Sequence, residues 1–312
     1  MHHYRSLEEV TLQNSWVTVG VFDGVHRGHQ KILEKLTAGA HANGVPAVVL
    51  TFDPHPANVL GRSTVKLLTL PGERAKLLGE VGVDVVITHP FDKDFANVTA
   101  FDFMRLLKTH LGLSHIVAGY DSTVGKNREG NAVRLAEIGS ELEYTIETVS
   151  ALSDESGVIS STEIRKLVTV GNVTEAARLL GHPYRLQGLV AHGDQRGRTI
   201  GFPTANLSYA REKVIPAGGI YACWAREHDE YADRHMTAVN IGTNPTFTPD
   251  SHTLNVEAYL LDFINQDIYD TLLTLEFVQR LRDELRYDSV EALVEQIRKD
   301  VAQTRELLKR RK

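Results

Sequence analysis

Two stretches of the 312-residue sequence bring together residues able to handle phosphate. The first is Gly20-Val21-Phe22-Asp23-Gly24-Val25-His26-Arg27-Gly28-His29, where an apolar run enters a glycine-bearing turn and a helical pattern leaves it. Histidines three apart at the start of a helix share one face. A helix N-terminus offers an anion its free N–H groups and partial positive charge. Gly24 and Gly28 would let the backbone come close to a ligand. Two imidazoles so placed could donate hydrogen bonds to the oxygens of a phosphorus centre under attack, and no enzyme nucleophile is needed if the acceptor is itself a phosphate. The same spacing also suits a zinc site completed by Asp23, or a purely structural histidine pair. No cysteine lies nearby, which weighs against zinc, and the strand-turn-helix setting favours phosphate.

The second stretch lies near the middle of the chain. Gly193, Gly197 and Gly201 recur every four residues in Gly-Asp-Gln-Arg-Gly-Arg-Thr-Ile-Gly, with Arg196 and Arg198 among them. A glycine loop with arginines can wrap a polyphosphate through its backbone N–H groups, although an ordinary hairpin turn reads much the same. Phe202-Pro203-Thr204-Ala205-Asn206 follows at once. In an extended segment Thr204 and Asn206 point the same way. Their hydroxyl and amide oxygens are hard donors suited to Mg²⁺, which takes few protein ligands and completes its shell with water and phosphates. Further on, Leu254, Val256, Ala258 and Leu260 alternate onto one strand face, so Glu257 falls on the other with Asn255 and Tyr259. An exposed strand carboxylate is the ordinary reading of such a residue. The second half offers no other clear base for a hydroxyl nucleophile.

These residues need elements to hold them. In the first half, apolar runs at Val17–Phe22, Ala47–Phe52, Val83–Thr88, Ile116–Gly119 and Tyr144–Val149 read as strands. Helical patterns over Gly28–Asn43, Glu73–Glu80, Ala100–Leu111 and Asn131–Leu142 separate them. That alternation predicts an α/β domain with a doubly wound parallel sheet, whose ligands sit at the carboxyl ends of its strands. Two helices follow, Ser161–Val168 and Val173–Leu180, before Gly181-His182-Pro183 breaks the pattern. We place the domain boundary there, giving residues 1–183 and 184–312. Beyond it the period changes to two. Leu186–His192, Gly219–Trp224, Met236–Ile241, Leu254–Leu261 and Leu272–Phe277 read as strands of a small antiparallel β-barrel. A terminal helix over Ser289–Leu308 should pack on it through Val290, Leu293, Val294, Ile297 and Val301.

Bulk properties narrow the partners. A formal net charge of −6 disfavours a general nucleic-acid binder. The basic run Lys309-Arg310-Arg311-Lys312 reads as a helix end complementing its dipole. No apolar run is long enough to span a bilayer, and the first ten residues lack the apolar core of a signal peptide. The single cysteine, Cys223, fits a reducing cytoplasm, where we expect the protein to reside. His2 and His3 read as tag remnants or chance, with no metal role.

The motifs also carry a resemblance. His26-Arg27-Gly28-His29 resembles the HxGH signature of nucleotidyltransferases. With Thr51-Phe52-Asp53-Pro54-His55-Pro56 and Ile159-Ser160-Ser161-Thr162-Glu163-Ile164-Arg165, the first half is similar to the adenylyltransferase module of bifunctional riboflavin kinase/FMN adenylyltransferases, the bacterial FAD synthetases. Gly197 to Asn206, Val239 to Phe247 and Asn255-Val256-Glu257 resemble the riboflavin kinase domain of the same family, and Leu281-Arg282-Asp283-Glu284 looks like the start of its C-terminal end. The resemblance implies riboflavin, FMN and ATP as substrates, with Mg²⁺ bound through Thr204 and Asn206 and Glu257 as catalytic base. It implies nucleotide or phosphate contacts from Asp23, Gly24, Gly28, Ser160, Ser161, Thr162, Arg165, Gly193, Gly197, Arg198 and Gly201, with His26 and His29 as catalytic groups. It assigns flavin contacts to Asp121, Asn244 and Arg282. No nucleic acid and no membrane is implied.

One stretch departs from the family pattern. Ser122 and Val124 stand where the family commonly has phenylalanines, and Leu60 where an aromatic is common. Each lost stacking pair removes about 0.5–1.5 kcal/mol beyond area burial. That leaves two alternatives open: a riboflavin kinase whose N-terminal domain uses its acceptor weakly or takes another, and a non-enzymatic flavin- or nucleotide-sensing protein.

Overall fold

The computed structural model describes residues 1–155, 157–191, 197, 200–227, 233–242, 254–263 and 268–310. It divides into two compact units, Met1–Ser161 and Thr162–Lys312.

The first unit is built on a six-stranded parallel sheet of β1 (His2–Tyr4), β2 (Ser15–Val19), β3 (Ala47–Asp53), β4 (Val85–Pro90), β5 (Leu113–Gly119) and β6 (Thr145–Val149), in the order β1-β4-β3-β2-β5-β6. Its helices are α1 (Arg27–Ala42), the short α2 (Pro56–Val59), α3 (Pro71–Glu80), α4 (Ala100–Leu111) and α5 (Ala132–Leu142). Strands such as β3 are apolar at consecutive positions because both sheet faces are covered. Val48 and Leu50 face a core shared with Phe103, Met104 and Leu107 of α4 and Leu135 and Ile138 of α5. Ala47 and Val49 face the other, with Leu33 and Leu36 of α1 and Leu77 and Leu78 of α3. Thr99 and Asn131 cap α4 and α5 by accepting from Asp102 N and Arg134 N, which sets the starts of those helices. Trp16 of β2 lies against the ring of His115 on β5, with centroids 4.0 Å apart. Gly39 of α1 leaves the space that the indole fills.

A small antiparallel pair, β7 (Ser153–Asp154) and β8 (Gly157–Val158), precedes α6 (Ser161–Thr169) and α7 (Val173–Leu180). The second unit is a closed barrel of β9 (Tyr184–Ala191), β10 (Ala205–Tyr209), β11 (Gly219–Glu227), β12 (His235–Gly242), β13 (Asn255–Leu260) and β14 (Leu272–Arg282), followed by α8 (Val290–Lys309). The cyclic order is β10-β13-β12-β11-β14-β9, with every pairing antiparallel. Inward positions such as Val239, Ile241, Val256 and Ala258 are buried, and the outward ones between them face α8 or solvent. Trp224 of β11 packs with Val278 and Leu308. Helix α7 belongs to this unit by its packing. It lies on β14 and β9, buries Val173, Ala176, Leu179 and Leu180, and Thr174 Oγ1 donates to Val278 O at 3.2 Å.

The architecture matches the expected α/β plus barrel class, with differences in detail. The helices over Ala100–Leu111 and Val173–Leu180 fall where the pattern placed them. Four strands escaped it, the short pair β7 and β8 and two that join the larger sheets. His2 and His3 are part of β1, paired in parallel with Val85 and Val86, and His3 Nε2 meets Thr88 Oγ1 at 2.9 Å. The barrel has six strands, the sixth being β10, which runs through Asn206. On α8, Val290 is exposed rather than packed, and the fully buried positions are Asp300, Thr304 and Leu308.

The N-terminal segment is held by a buried imidazole. Leu7 N donates to His89 Nδ1 at 3.2 Å, which requires that nitrogen to be unprotonated. Burial pushes the His89 pKa below its ordinary 6.5, against the opposing pull of Glu8 and Asp92. A depressed histidine pKa contributes stability that is complete above the unfolded value and is lost as pH falls through the folded one. The first unit should therefore lose thermal stability as pH drops below about 6.5. His89→Gln, which keeps an acceptor that does not titrate, should flatten that dependence in a calorimetric pH series. An unchanged slope would remove His89 from the account.

Candidate active sites

In the first unit the chain proceeds from β2 outward to β3 and β4 on one side, then crosses to β5 and β6 on the other. The loops after β2 and β5 diverge at that switch point and leave a crevice at the carboxyl ends of the strands. The turn after β2 carries both histidines. It is strained, because Phe22 and Val25 hold positive φ angles of 51° and 41° and Gly24 one of 82°. Such a conformation costs a β-branched residue about 1–3 kcal/mol. The Asp23 carboxylate, 2% exposed, supplies the restraint. It accepts from Leu68 N at 3.0 Å, Thr69 N at 2.8 Å and Thr69 Oγ1 at 3.0 Å. Thr69 Oγ1 in turn accepts from Gly24 N at 2.9 Å, and Ser161 Oγ donates to Asp23 O at 2.9 Å. Arg74, 1% exposed, donates to Phe52 O at 3.0 Å, and the charges of Asp23 and Asp53 oppose the lowering of its pKa by burial.

The turn delivers His26 as the N-cap of α1, with its Nδ1 accepting from His29 N at 3.3 Å. That bond leaves Nε2 as the position for the ring proton. The two imidazoles stack with centroids 3.6 Å apart and planes 19° apart, and Phe22 meets His29 edge-on. Gly28 serves this stack. A Cβ there would press on the His26 ring, so its missing side chain makes room for an imidazole as well as for any ligand.

Beside the turn lies a cavity of about 550 Å³ lined by Val19, Gly20 and Val21, by Phe52, Phe91 and Phe95, and by the 122–128 loop. Phe52 stands 5.4 Å from Phe91 and 5.9 Å from Phe95, centroid to centroid. Leu60, Ser122 and Val124 do line this space. The aromatic rings missing from those positions are present on other walls, at the ends of β3 and β4 and in the turn after β4. Asp121 is exposed and outside the lining. Ser160 and Ser161 belong to the first unit, whereas Thr162 and Arg165 open the second on α6, exposed and half-buried respectively.

In the second unit a cavity of about 340 Å³ is lined by Gly197, Phe202, Thr204, Asn240, Glu257, Tyr259 and Arg282, with Leu293, Ile297 and Val301 of α8 on its apolar side. Register explains the gathering. Asn206 lies directly opposite Glu257 across β10 and β13, and Asn240 directly opposite it across β12 and β13. Opposed residues share a face with Cβ atoms about 4.5–5.5 Å apart, so the three polar side chains form one row on the outer barrel wall. Glu257 is half-buried on this wall. Phe202 packs edge-on against Tyr259 at 5.3 Å. Gly197 turns the approach to this wall: its carbonyl accepts from Phe202 N at 2.8 Å, and a Cβ would collide with Phe202 O. Gly201 takes a positive φ of 84° in the same turn. Arg282 reaches the cavity with its charge committed, donating to Asp300 through Nε at 2.9 Å and Nη2 at 2.6 Å. Thr204 and Asn206 supply neutral hard oxygens beside a carboxylate, a set that fits a divalent cation carrying nucleotide phosphates. Gly193, Arg198 and Asn244 lie outside the described residues. Sequence reasoning gave no role to Arg74, to the Phe91–Phe95 pair or to Asn240, although Asn240 lies in the segment Val239 to Phe247 that resembles the kinase domain.

A switch-point crevice with a histidine-capped helix, followed by a barrel with a carboxylate between hard oxygen donors, defines a chain with two phosphate-directed sites on separate units. The FAD synthetase family model matches residues 8–163 and the riboflavin kinase model residues 180–308. Curated bifunctional riboflavin kinase/FMN adenylyltransferases align along nearly the whole chain. The Listeria monocytogenes protein is 38% identical over 98% of this chain and 96% of its own. The Bacillus subtilis protein is 35% identical over 96% and 93%, and the Escherichia coli protein 35% over 96% and 95%. A solved Streptococcus pneumoniae structure, described as a macrolide-efflux protein, superposes with a TM-score of 0.85 at 33% identity, covering 97% of this chain and 98% of that one. Among the described residues here, no helix is long and apolar enough to cross a membrane. The chain belongs to the bifunctional riboflavin kinase/FMN adenylyltransferase family.

The Asp23 restraint has a direct consequence. Asp23→Asn exchanges an acceptor oxygen for an amide NH2 group facing the Leu68 and Thr69 donors, which leaves buried donors unpaired at about 1–3 kcal/mol. Adenylyl transfer should fall by about tenfold or more, while riboflavin phosphorylation stays unchanged. Assaying both reactions on the same preparation checks this, and full retention of adenylyl transfer would deny Asp23 its role.

Proposed function

We propose that this chain makes flavin cofactors in two ATP-dependent steps, riboflavin to FMN and FMN to FAD. The row Asn206, Glu257, Asn240, of which Glu257 and Asn240 line the cavity together with Thr204, carries the reading, because it sets a base beside hard oxygen donors. In the first step Glu257 takes the proton from the 5′-hydroxyl of riboflavin as that oxygen attacks the γ-phosphorus of ATP, and ADP leaves. Thr204 and Asn206 would hold Mg²⁺, whose chemistry there is neutralisation of phosphate charge. Gly197 and Gly201 give backbone access to the phosphates, and the apolar side of the cavity receives the flavin ring.

In the second step a phosphate oxygen of FMN attacks the α-phosphorus of ATP and pyrophosphate leaves. His26 donates through Nε2, and His29, held by the stack, completes a pair aimed at the phosphate oxygens. Asp23 acts here as a brace for the turn, since its oxygens are occupied by protein donors. The Phe52, Phe91 and Phe95 cluster offers the flavin a ring surface in place of Ser122 and Val124. This favours FMN as acceptor over the reading in which the first unit has lost it.

Riboflavin, ATP and Mg²⁺ supplied together, with FMN and FAD resolved by chromatography, test the reading. Glu257→Gln should lower FMN formation by at least about a hundredfold, within the range for removal of a general base, and leave ATP binding intact. His29→Ala should abolish FAD formation and spare FMN formation. Product formation by neither unit would leave only a binding protein.

We further propose that residues 184–312 carry the kinase site and 1–183 the adenylyltransferase site, with α7 acting as a structural buttress of the barrel. A fragment of residues 162–312 should make FMN but no FAD. It should also unfold at a higher temperature than one of 184–312, because the apolar side chains of α7 bury against β14 and β9 and each large one contributes about 1.5–3 kcal/mol. Equal melting temperatures would assign α7 elsewhere.

A further inference from the structure

The row on the barrel wall contains one group that neither the metal nor the base uses. Asn240 lines the cavity, and its amide oxygen is buried with no hydrogen-bond partner among the described residues. A buried acceptor left unpaired is costly, and an asparagine kept in that condition on a cavity wall calls for a donor from whatever fills the cavity. Its neighbours restrict the choice. Ala238 precedes it on the same outward face of β12, the apolar residues of α8 lie on the other side of the space, and Glu257 is its direct cross-strand partner.

Direction along the row decides which ligand supplies the donor. Asn206 flanks Glu257 on the β10 side and Asn240 flanks it on the β12 side. In-line phosphoryl transfer places nucleophile and leaving group on opposite sides of the phosphorus. If Asn206 and Thr204 face the nucleotide and Glu257 the hydroxyl that reacts, the far side of Glu257 faces the acceptor. Asn240 therefore meets the part of the acceptor next to its reacting oxygen. In riboflavin that part is a polyol chain, whose hydroxyls are the donors an orphaned amide oxygen needs.

We propose that Asn240 is a specificity-determining residue of the kinase site, accepting a hydrogen bond from the ribityl hydroxyl adjacent to the one phosphorylated. The inference rests on the kinase reading above. A site built to bond a hydroxyl rejects an analogue lacking it far more strongly than an apolar site rejects a changed methylene. Asn240 thus makes the enzyme read the sugar chain as well as the ring.

The test compares riboflavin with 4′-deoxyriboflavin in the full-length protein and in Asn240→Leu and Asn240→Asp, varying flavin and ATP separately. The unmodified enzyme should prefer riboflavin by about 10- to 100-fold in kcat/KM. Asn240→Leu should lose most of that preference, through riboflavin alone, with the KM for ATP unchanged and the melting temperature equal or higher because a buried orphan is gone. Asn240→Asp, which keeps an acceptor oxygen, should retain part of the preference. Undiminished discrimination in Asn240→Leu would overturn the assignment. So would a change confined to the KM for ATP or to the Mg²⁺ requirement, which would move Asn240 to the nucleotide side. Failure of the kinase reading is separate: it would appear as no phosphorylation of either flavin by the unmodified enzyme.

Discussion

A carboxylate close to a polyphosphate repels it unless the negative charge is satisfied by the protein or used in the reaction. Both units are arranged around that constraint. In the first, Asp23 sits immediately before the histidines, yet its oxygens are saturated by Leu68 and Thr69, and Arg74 is buried nearby. In the second, Asp300 lies at the cavity but is bound to Arg282 and by Gln296 Nε2 at 2.9 Å. Glu257 and Glu284 also line this cavity, and Glu257 is the one flanked across the strands by Asn206 and Asn240.

The strained turn after β2 shows how that satisfaction also builds geometry. Positive φ at Phe22 and Val25 would relax in an unrestrained loop. The donors from the segment before α3 hold Asp23 and therefore the turn, and the turn fixes where α1 begins. His26 then becomes a cap rather than a first-turn residue, and its ring comes to lie over His29 because Gly28 stands between them with no side chain. Local strain, a buried carboxylate and a glycine together set the orientation of two imidazoles.

Much of this was legible in the sequence, for physical reasons that also mark where legibility ends. Helices with a clear apolar stripe and a capping residue, such as α4 after Thr99, announce both their existence and their start. The strands of the parallel sheet announce themselves by length and apolarity. Strand β1 does not, because three polar residues on a sheet edge carry no periodic signal. Strand β10 is short, and although Ala205 and Leu207 alternate with Asn206 and Ser208, Gly201 and Pro203 just before it give the segment the composition of a loop. The histidines, Thr204, Asn206 and Glu257 were visible as residue types at telling spacings. Asn240 and the Phe91–Phe95 pair were not, since cross-strand register and the convergence of separate loops exist only in three dimensions. The domain limits show the same effect: glycine and proline at 181–183 mark a break in pattern, whereas the packing of α7 on β14 depends on contacts that no break records.

The chain contains two tryptophans, and each unit holds one. Trp16 lies against an imidazole in the first, and Trp224 sits in the barrel of the second with the Arg234 guanidinium 5.8 Å from its ring centre. Their optical environments differ. An adjacent imidazole is an efficient quencher of indole emission when protonated, whereas a tryptophan among Val278 and Leu308 is shielded in an apolar setting. The molecule thus carries an intrinsic lamp in each half, and its ultraviolet emission is a sum of two separable signals, each reporting the integrity of one site's scaffold without any label.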